Sequence, residues 1–214
     1  MRLLLVNPNS NVATTEMMRE IAQNAAPPHF HIDAMTAHRG ALMITNMETL
    51  EASARILQDM IGPIANEHYD GVIISAFGDP ALAYFKQHLR CPVVGIGEAS
   101  LHQANQMGSF AIVTTTEGLR PSILNMVDAT KTVQNFRGLY ITEGDPVALM
   151  RTPETLNSQL ERACTRAVSE TRCQSVIIGG GPLALAARSL SGKTEARLIE
   201  PIPAAIQMIS LTIQ

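Results

Sequence analysis

Two short loops of small residues, each directly after a β-branched run, are the parts of this chain most suited to chemistry. The first covers residues 75–79 (Ser-Ala-Phe-Gly-Asp) and the second covers residues 179–181 (Gly-Gly-Gly). The apolar run before each loop is typical of a strand buried on both faces. Small residues permit a close approach of a ligand to the backbone, and the helix N-terminus that follows favours an anion. Together the loops predict one ligand site built between two similar halves.

Three polar side chains near these loops are candidates for catalysis, each with a structural alternative. Ser75 offers a hydroxyl, but the sequence places no histidine to activate it, which favours a packed or capping hydroxyl. Asp79 precedes Pro80 in the position of a helix N-cap. If it faced the cleft instead, its carboxylate could orient water as a base. Glu98 begins a later helix, where carboxylates are commonly structural.

The elements that must position these loops alternate between strand and helix along the whole chain. Apolar runs predict strands within residues 3–6, 29–35, 72–75, 92–96, 110–113, 136–141, 176–178 and 196–199. Helical periodicity fills the intervals at 12–24, 48–66, 79–87, 97–106, 121–128, 153–171 and 203–214, with Asn9 or Ser10 as the expected cap of the first helix. This alternation favours an α/β fold with parallel sheets.

The pattern restarts near residue 109, which predicts two pseudo-symmetric Rossmann-like lobes with the active-site cleft between them. We expect an N-terminal lobe formed by residues 1–96 plus 200–214, because the last helix is apolar on most faces and can return to it. The C-terminal lobe is expected to cover residues 97–199. The irregular stretch 36–46 is predicted to form a lid or a rim loop, and it carries His38.

Composition excludes several classes of function. The chain of 214 residues is 46% hydrophobic with a net charge of -3, so neither nucleic acid nor a membrane surface is an expected partner. No apolar run reaches the length of a membrane span, and the N-terminal run is too short for a signal peptide. Three cysteines without paired spacing indicate reduced thiols and a cytoplasmic protein. The six histidines show no metal-ligand spacing, so we expect no metal site.

Five pieces of the chain, in order, resemble the hydantoin racemase-type members of the aspartate/glutamate racemase superfamily. They are Val6-Asn7-Pro8-Asn9-Ser10, Phe77-Gly78-Asp79-Pro80-Ala81-Leu82, Val94-Gly95-Ile96-Gly97-Glu98-Ala99, residues 110–115, and residues 176–180. The resemblance covers essentially the whole chain. It implies a two-lobed enzyme without metal or organic cofactor. Its substrate would be a small molecule with an acidic C–H beside a carbonyl, and it would assemble as a homo-oligomer.

The resemblance also shows what this chain lacks. In the family, two cysteines face each other across the substrate, one removing the α-proton and the other returning a proton to the opposite face. The matching positions here hold Ala76 and Gly180, and the cysteines at 91, 164 and 173 match neither. Alanine and glycine transfer no proton, so racemisation by two thiols cannot run.

What the resemblance leaves is a binding apparatus. It assigns the polar end of the substrate to Asn9 and Ser10 in one lobe and to Thr114 and Thr115 in the other. The remaining contacts would come from the two small-residue loops, through Ala76, Phe77, Gly78, Gly180 and Gly181. We therefore expect an isomerase-family enzyme for a small cyclic amide or amino-acid derivative. The alternatives are a cofactor-independent hydrolase or lyase of a small ring compound, and a non-catalytic binder of a small ligand.

Overall fold

The computed structural model describes residues 1–213, which form eight strands and nine α-helices. The strands are β1 (Arg2–Asn7), β2 (His31–Thr36), β3 (Gly71–Ile74), β4 (Val93–Gly95), β5 (Phe110–Thr114), β6 (Phe136–Ile141), β7 (Ser175–Ile178) and β8 (Arg197–Ile199). The helices are α1 (Val12–Ala25), α2 (Met47–Asn66), α3 (Leu82–His88), α4 (Ile96–Met107), α5 (Arg120–Ala129), α6 (Pro146–Met150), α7 (Pro153–Thr171), α8 (Ala184–Leu190) and α9 (Pro201–Thr212).

The strands form two four-stranded parallel sheets with the same topology. The first sheet has the order β2-β1-β3-β4 and the second has the order β6-β5-β7-β8. The strand order reverses between the two central strands of each sheet, which are β1 and β3 in the first and β5 and β7 in the second. The loops after these strands therefore turn to opposite faces of the sheet, and a crevice forms between them at the carboxyl edge. The α/β fold with two similar sheets confirms the fold predicted from the alternation.

The interiors of the central strands are apolar because helices cover both faces of each sheet. Residues 3–6 of β1 and the whole of β3, β5 and β7 are buried. Helix α9 packs on α1 and α4 and reaches β3 and β4 of the first sheet, where it buries Ile202, Ile206 and Ile209. The boundaries 1–96 plus 200–214 and 97–199 stay a prediction, and residue 214 lies outside the described residues.

Two local predictions differ from the structure, and one short helix is additional to the predicted elements. Helix α3 begins at Leu82 rather than at Asp79, because Asp79 and Ala81 have positive φ angles of 47° and 59° that a helix cannot contain. Helix α1 is capped by Asn11, whose side chain accepts from the N–H of Thr14, rather than by the two residues before it. The short helix α6 was not predicted.

In residues 1–213, the helices are too short or too polar to span a bilayer.

Candidate functional site

The loops after the central strands of both sheets converge on one cavity. The loop after β1 contributes Asn9, the loop after β3 contributes Ser75, Ala76 and Phe77, the end of β5 and the loop after it contribute Thr114, Thr115 and Thr116, and the loop after β7 contributes Gly179 to Leu183. The space open to the centre of a water-sized sphere is about 40 Å³, roughly three times what one water needs. The cavity is therefore small, and a ring-shaped ligand requires its walls to separate.

The two small-residue loops touch each other across the lobes. A Cβ atom added to Gly181 would lie 2.6 Å from the carbonyl oxygen of Ser75 and 2.6 Å from Sδ of Met18. A Cβ atom on Gly179 would lie 3.0 Å from the ring of Phe77. Glycine is required at position 181 because two backbones approach closely there, whereas at position 179 the ring of Phe77 occupies the space of a side chain. The cavity is consequently bounded by Ala76 on one lobe and by Gly180 on the other.

Asn9 presents a hydrogen-bond donor to this cavity. The residue is 4% exposed, and its Oδ1 accepts from Nδ2 of Asn7 and from the N–H of Asn11, both at 2.9 Å. These two bonds fix the orientation of the side-chain amide. Within residues 1–213 its NH₂ group has no protein partner, so this group remains available to a ligand carbonyl.

A run of three threonines supplies hydroxyl groups from the second lobe. The hydroxyls of Thr114 and Thr116 bond to each other at 3.2 Å. The hydroxyl of Thr115 is buried, and no other group of residues 1–213 pairs with it. A buried hydroxyl without a partner costs about 1–3 kcal/mol, and a bound ligand would recover that cost. Thr116 is not among the residues that the sequence predicts for the site, although it directly continues the polar run.

Replacing Thr115 by valine tests whether this hydroxyl serves the ligand or the fold. Because valine has the same shape and no polar atom to satisfy, we expect Thr115→Val to leave the free energy of unfolding unchanged or to raise it by about 1 kcal/mol. Thr114→Val is the matched control, because it breaks the bond to Thr116 and should lower that free energy by about 1 kcal/mol. Urea unfolding of both variants measures the difference. A larger loss in Thr115→Val than in Thr114→Val would contradict this assignment.

Ser75 lines the cavity but has its hydroxyl engaged elsewhere. The residue is 1% exposed, and its Oγ donates to the carbonyl oxygen of Val6 at 2.9 Å. This bond ties the end of β3 to the end of β1. The structure thus gives the Ser75 hydroxyl a packing partner, and no histidine of residues 1–213 lines the cavity to activate it.

The two candidate carboxylates lie outside the cavity lining. Asp79 accepts from the N–H groups of Gly97 at 2.8 Å and Glu98 at 2.7 Å, so it caps helix α4. The prediction that it caps the helix directly after it is wrong, because that helix starts three residues later. Glu98 accepts from Nζ of Lys86 at 2.8 Å and from the N–H of Gly95 at 3.3 Å. Both carboxylates therefore hold the start of α4 in place.

Burial raises the pKa of Asp79 to about 7, from an ordinary value of 3.8, although the N–H groups of Gly97 and Glu98 oppose the shift. The stability gained by the neutral carboxyl is fully present below about pH 4 and is lost as the pH rises through about 7. Asp79→Asn keeps one acceptor oxygen and removes the charge. We expect the stability of the wild type to fall relative to this variant by on the order of 1–3 kcal/mol between pH 4 and pH 8.

Unfolding in urea at several pH values measures this difference. Glu16→Gln is the matched control, because Arg19 lowers the pKa of that exposed carboxyl and its pH dependence has the opposite sign. Parallel pH profiles for wild type and Asp79→Asn would show that folding does not raise the pKa of Asp79.

Two residues assigned to the substrate by resemblance lie away from the cavity. The hydroxyl of Ser10 donates to the carbonyl oxygen of Gly40 at 3.0 Å, so it anchors the loop after β2. Gly78 has a φ of 134°, and an added Cβ would lie 3.1 Å from the side chain of Leu50. Neither lines the cavity. Their assignment by resemblance is not supported by these positions, because the chain turns away after Asn9 and after Phe77.

The loop of residues 37–46, called the rim loop below, completes the cavity wall. It contributes Met43 and Ile44 to the lining, whereas His38 is exposed and does not reach the site. The rim loop also meets the second lobe, because a Cβ on Gly118 would lie 2.6 Å from the carbonyl oxygen of Thr45. It therefore closes the cleft from the first lobe onto the second.

The lining is neutral. Among residues 1–213, no Asp, Glu, His, Cys, Lys, Arg or Tyr side chain borders the cavity. The cysteines lie elsewhere: Cys164 and Cys173 are buried, and Cys91 is half-buried. Burial raises the pKa of the Cys164 thiol to about 12, so it carries little thiolate at neutral pH. The site can donate and accept hydrogen bonds, but its side chains hold no group that titrates near neutrality.

Similarity to known proteins, in sequence and in structure, identifies the family of this chain. The chain is 26% identical over 210 residues to hydantoin racemase of Paenarthrobacter aurescens, covering 97% of this chain and 89% of that one. Allantoin racemase from Klebsiella pneumoniae superposes with a TM-score of 0.93 at 25% identity, covering 100% of this chain and 87% of the relative. Allantoin racemase from Pseudomonas fluorescens has the same fold, with a TM-score of 0.93 at 22% identity and a coverage of 100% and 91%.

The model of the family described as Asp/Glu/Hydantoin racemase matches residues 3–209, which include both sheets and every loop that lines the cavity. This chain therefore belongs to the Asp/Glu/hydantoin racemase family.

Proposed function

We propose that this protein is an isomerase-family enzyme that binds a small cyclic amide or amino-acid derivative between its lobes and no longer uses two thiols. The observation that carries this proposal is the cavity itself. Its walls keep neutral hydrogen-bonding groups on both lobes, while Ala76 and Gly180 stand at the positions that the resemblance gives to the thiols. The ligand class is supported by the family and by the hydantoin and allantoin racemases that this chain resembles.

The polar groups of the cavity suit a ligand with carbonyl and amide groups. The NH₂ of Asn9 can donate to a carbonyl oxygen, and the Thr115 hydroxyl can donate or accept. Donors aimed at a carbonyl oxygen stabilise the negative charge that develops there when the neighbouring C–H loses its proton. Because the lining side chains hold no acid or base, the proton would have to pass to water or to a group of the ligand.

A second candidate is ligand binding without turnover. The specific observation in its favour is the absence of any titratable side chain from the lining formed by residues 1–213. General acid–base groups commonly raise the rate of such reactions by about 10²–10⁴-fold. A cavity without these groups would therefore lose most of that rate enhancement. A hydrolase or lyase of a small ring compound is the third candidate, and an experiment must distinguish it from the isomerase and from the binder.

Homo-oligomeric assembly stays a prediction.

Proton NMR of a chiral 5-alkyl hydantoin in deuterated water, together with its optical rotation, separates the three functions. An isomerase incorporates deuterium at the α-carbon and the substrate loses its chirality. A hydrolase opens the ring, and the unreacted substrate carries no label. A binder gives neither result and only raises the thermal unfolding temperature of the protein.

Thr115→Val provides the control for binding in each case, because it should weaken the apparent affinity about tenfold while the protein stays folded. If no hydantoin or amino-acid derivative produced exchange, ring opening or thermal stabilisation, the proposed ligand class would be wrong.

A further inference from the structure

A polar groove lies on the outer side of the second lobe, between the end of β6 and helix α7. It has a volume of about 180 Å³ and is separate from the cavity between the lobes. Its polar and charged lining comes from the segment after β6 and from one face of α7. The residues that matter are Thr142, Glu143, Gln159, Arg162 and Arg166.

The hydroxyl of Thr142 is buried at the base of this groove. Thr142 is 6% exposed, and within residues 1–213 its Oγ1 has no hydrogen-bond partner. Side chains two residues apart along an extended strand point to the same face. Tyr140 donates from its hydroxyl to Glu170 of α7 at 3.0 Å, so Thr142 faces the same helix. Thr142 also lines the groove, so a buried hydroxyl without a partner lies beside the arginines of α7.

Two arginines on α7 border the groove and lack carboxylate partners. Arg162 and Arg166 are four residues apart, on one face of the helix, where like charges repel. In residues 1–213 neither forms a salt bridge. Arg166 is held by a bond to the carbonyl oxygen of Ile141 at 3.3 Å and lies over the ring of Tyr140, 5.4 Å from its centroid. Glu143 also lines the groove, so its side chains carry a net charge of +1.

We propose that this groove binds a small oxyanion, either a phosphate group or a carboxylate. Arginine presents a planar fork of donors that matches the oxygens of both groups. The Thr142 hydroxyl would add a third donor from below, and Gln159 a fourth from the helix. The anion would relieve the repulsion between the two arginines and satisfy the buried hydroxyl at the same time.

The groove lies next to the wall of the cavity between the lobes, but the two spaces share no lining residue. The N–H of Thr142 donates to the carbonyl oxygen of Thr114 at 3.0 Å, which continues the pairing of β6 with β5. The residue that would bind the anion, Thr142, is thus hydrogen-bonded through its backbone to Thr114, which lines the cavity. Binding in the groove does not depend on the function proposed for that cavity.

Titration of the full-length protein with inorganic phosphate, and separately with acetate, tests the proposal. Sodium chloride holds the ionic strength constant, and isothermal calorimetry together with the thermal unfolding temperature reports binding. We expect saturable binding to the wild type. Arg162→Gln should weaken it by about tenfold or more, and Thr142→Val by roughly fivefold, because each removes one donor to a charged group. The anion that binds more tightly identifies the preferred group.

Two further variants make the result specific. Glu143→Gln should tighten binding a few-fold by removing a negative charge from the groove. Arg172→Gln, which removes an exposed arginine outside the groove, should leave binding unchanged. Equal affinity in Arg162→Gln and wild type, equal weakening by Arg172→Gln, or no saturable binding of either anion would each overturn the proposal.

Discussion

Ala76→Cys together with Gly180→Cys is expected to give this protein exchange of the α-proton of a chiral hydantoin, about 10²–10⁴-fold above the wild type. Both positions border the cavity, one from each lobe. The backbone at Gly180 is extended (φ 160°, ψ 126°), so it accepts a side chain. A Cβ there would lie 3.1 Å from the side chain of Leu183, which must move by a few tenths of an ångström.

Deuterium uptake at the α-carbon, followed with optical rotation, measures this gain. Ala76→Ser with Gly180→Ser is the matched control, because a hydroxyl is of similar size but is a far weaker acid than a thiol. We expect no exchange in that control and less racemisation in either single cysteine variant, since inversion needs a group on each face. A double cysteine variant that folds, binds the hydantoin and exchanges no proton would show that the two positions do not face one another across the ligand.

Gly181→Ala is expected to lower the free energy of unfolding by about 2–3 kcal/mol and to abolish thermal stabilisation by ligand. The added methyl group would overlap the carbonyl oxygen of Ser75 and Sδ of Met18, both at 2.6 Å. The carbonyl oxygen belongs to the backbone and cannot rotate away. The loops after β3 and β7 must then separate, which removes the contact that closes the cavity between the lobes.

Urea unfolding measures this loss, and Gly62→Ala is the matched control. Gly62 lies inside helix α2, and beyond its chain neighbours and its own helix backbone an added Cβ would meet no atom within 4 Å. The same substitution there should change stability by less than about 1 kcal/mol, because the gain of alanine over glycine in a helix interior is opposed by the ring of Pro63, which follows directly. A Gly181→Ala protein as stable as the wild type would mean that the two loops can separate without cost.

The local patterns of the sequence determined the repeated α/β architecture and the loops that carry the site. Alternating apolar runs and helical periods specify the elements, because burial of a strand or a helix face depends on nearby residues. The restart near residue 109 predicted the second sheet, whose strand order repeats the first. The same patterns predicted the two small-residue loops, and the family resemblance singled out Ala76 and Gly180 within them, both of which line the cavity.

Only the tertiary structure decided which groups meet. The carboxylate of Asp79 caps the helix that begins at Ile96 rather than the one beside it, and the hydroxyl of Ser10 turns to the rim loop. Met43 of that loop reaches the cavity from a stretch without any periodic pattern. These contacts join residues distant in sequence, and they depend on how the elements pack in three dimensions. A one-dimensional pattern records the burial of each element but not the partner that its loops will touch.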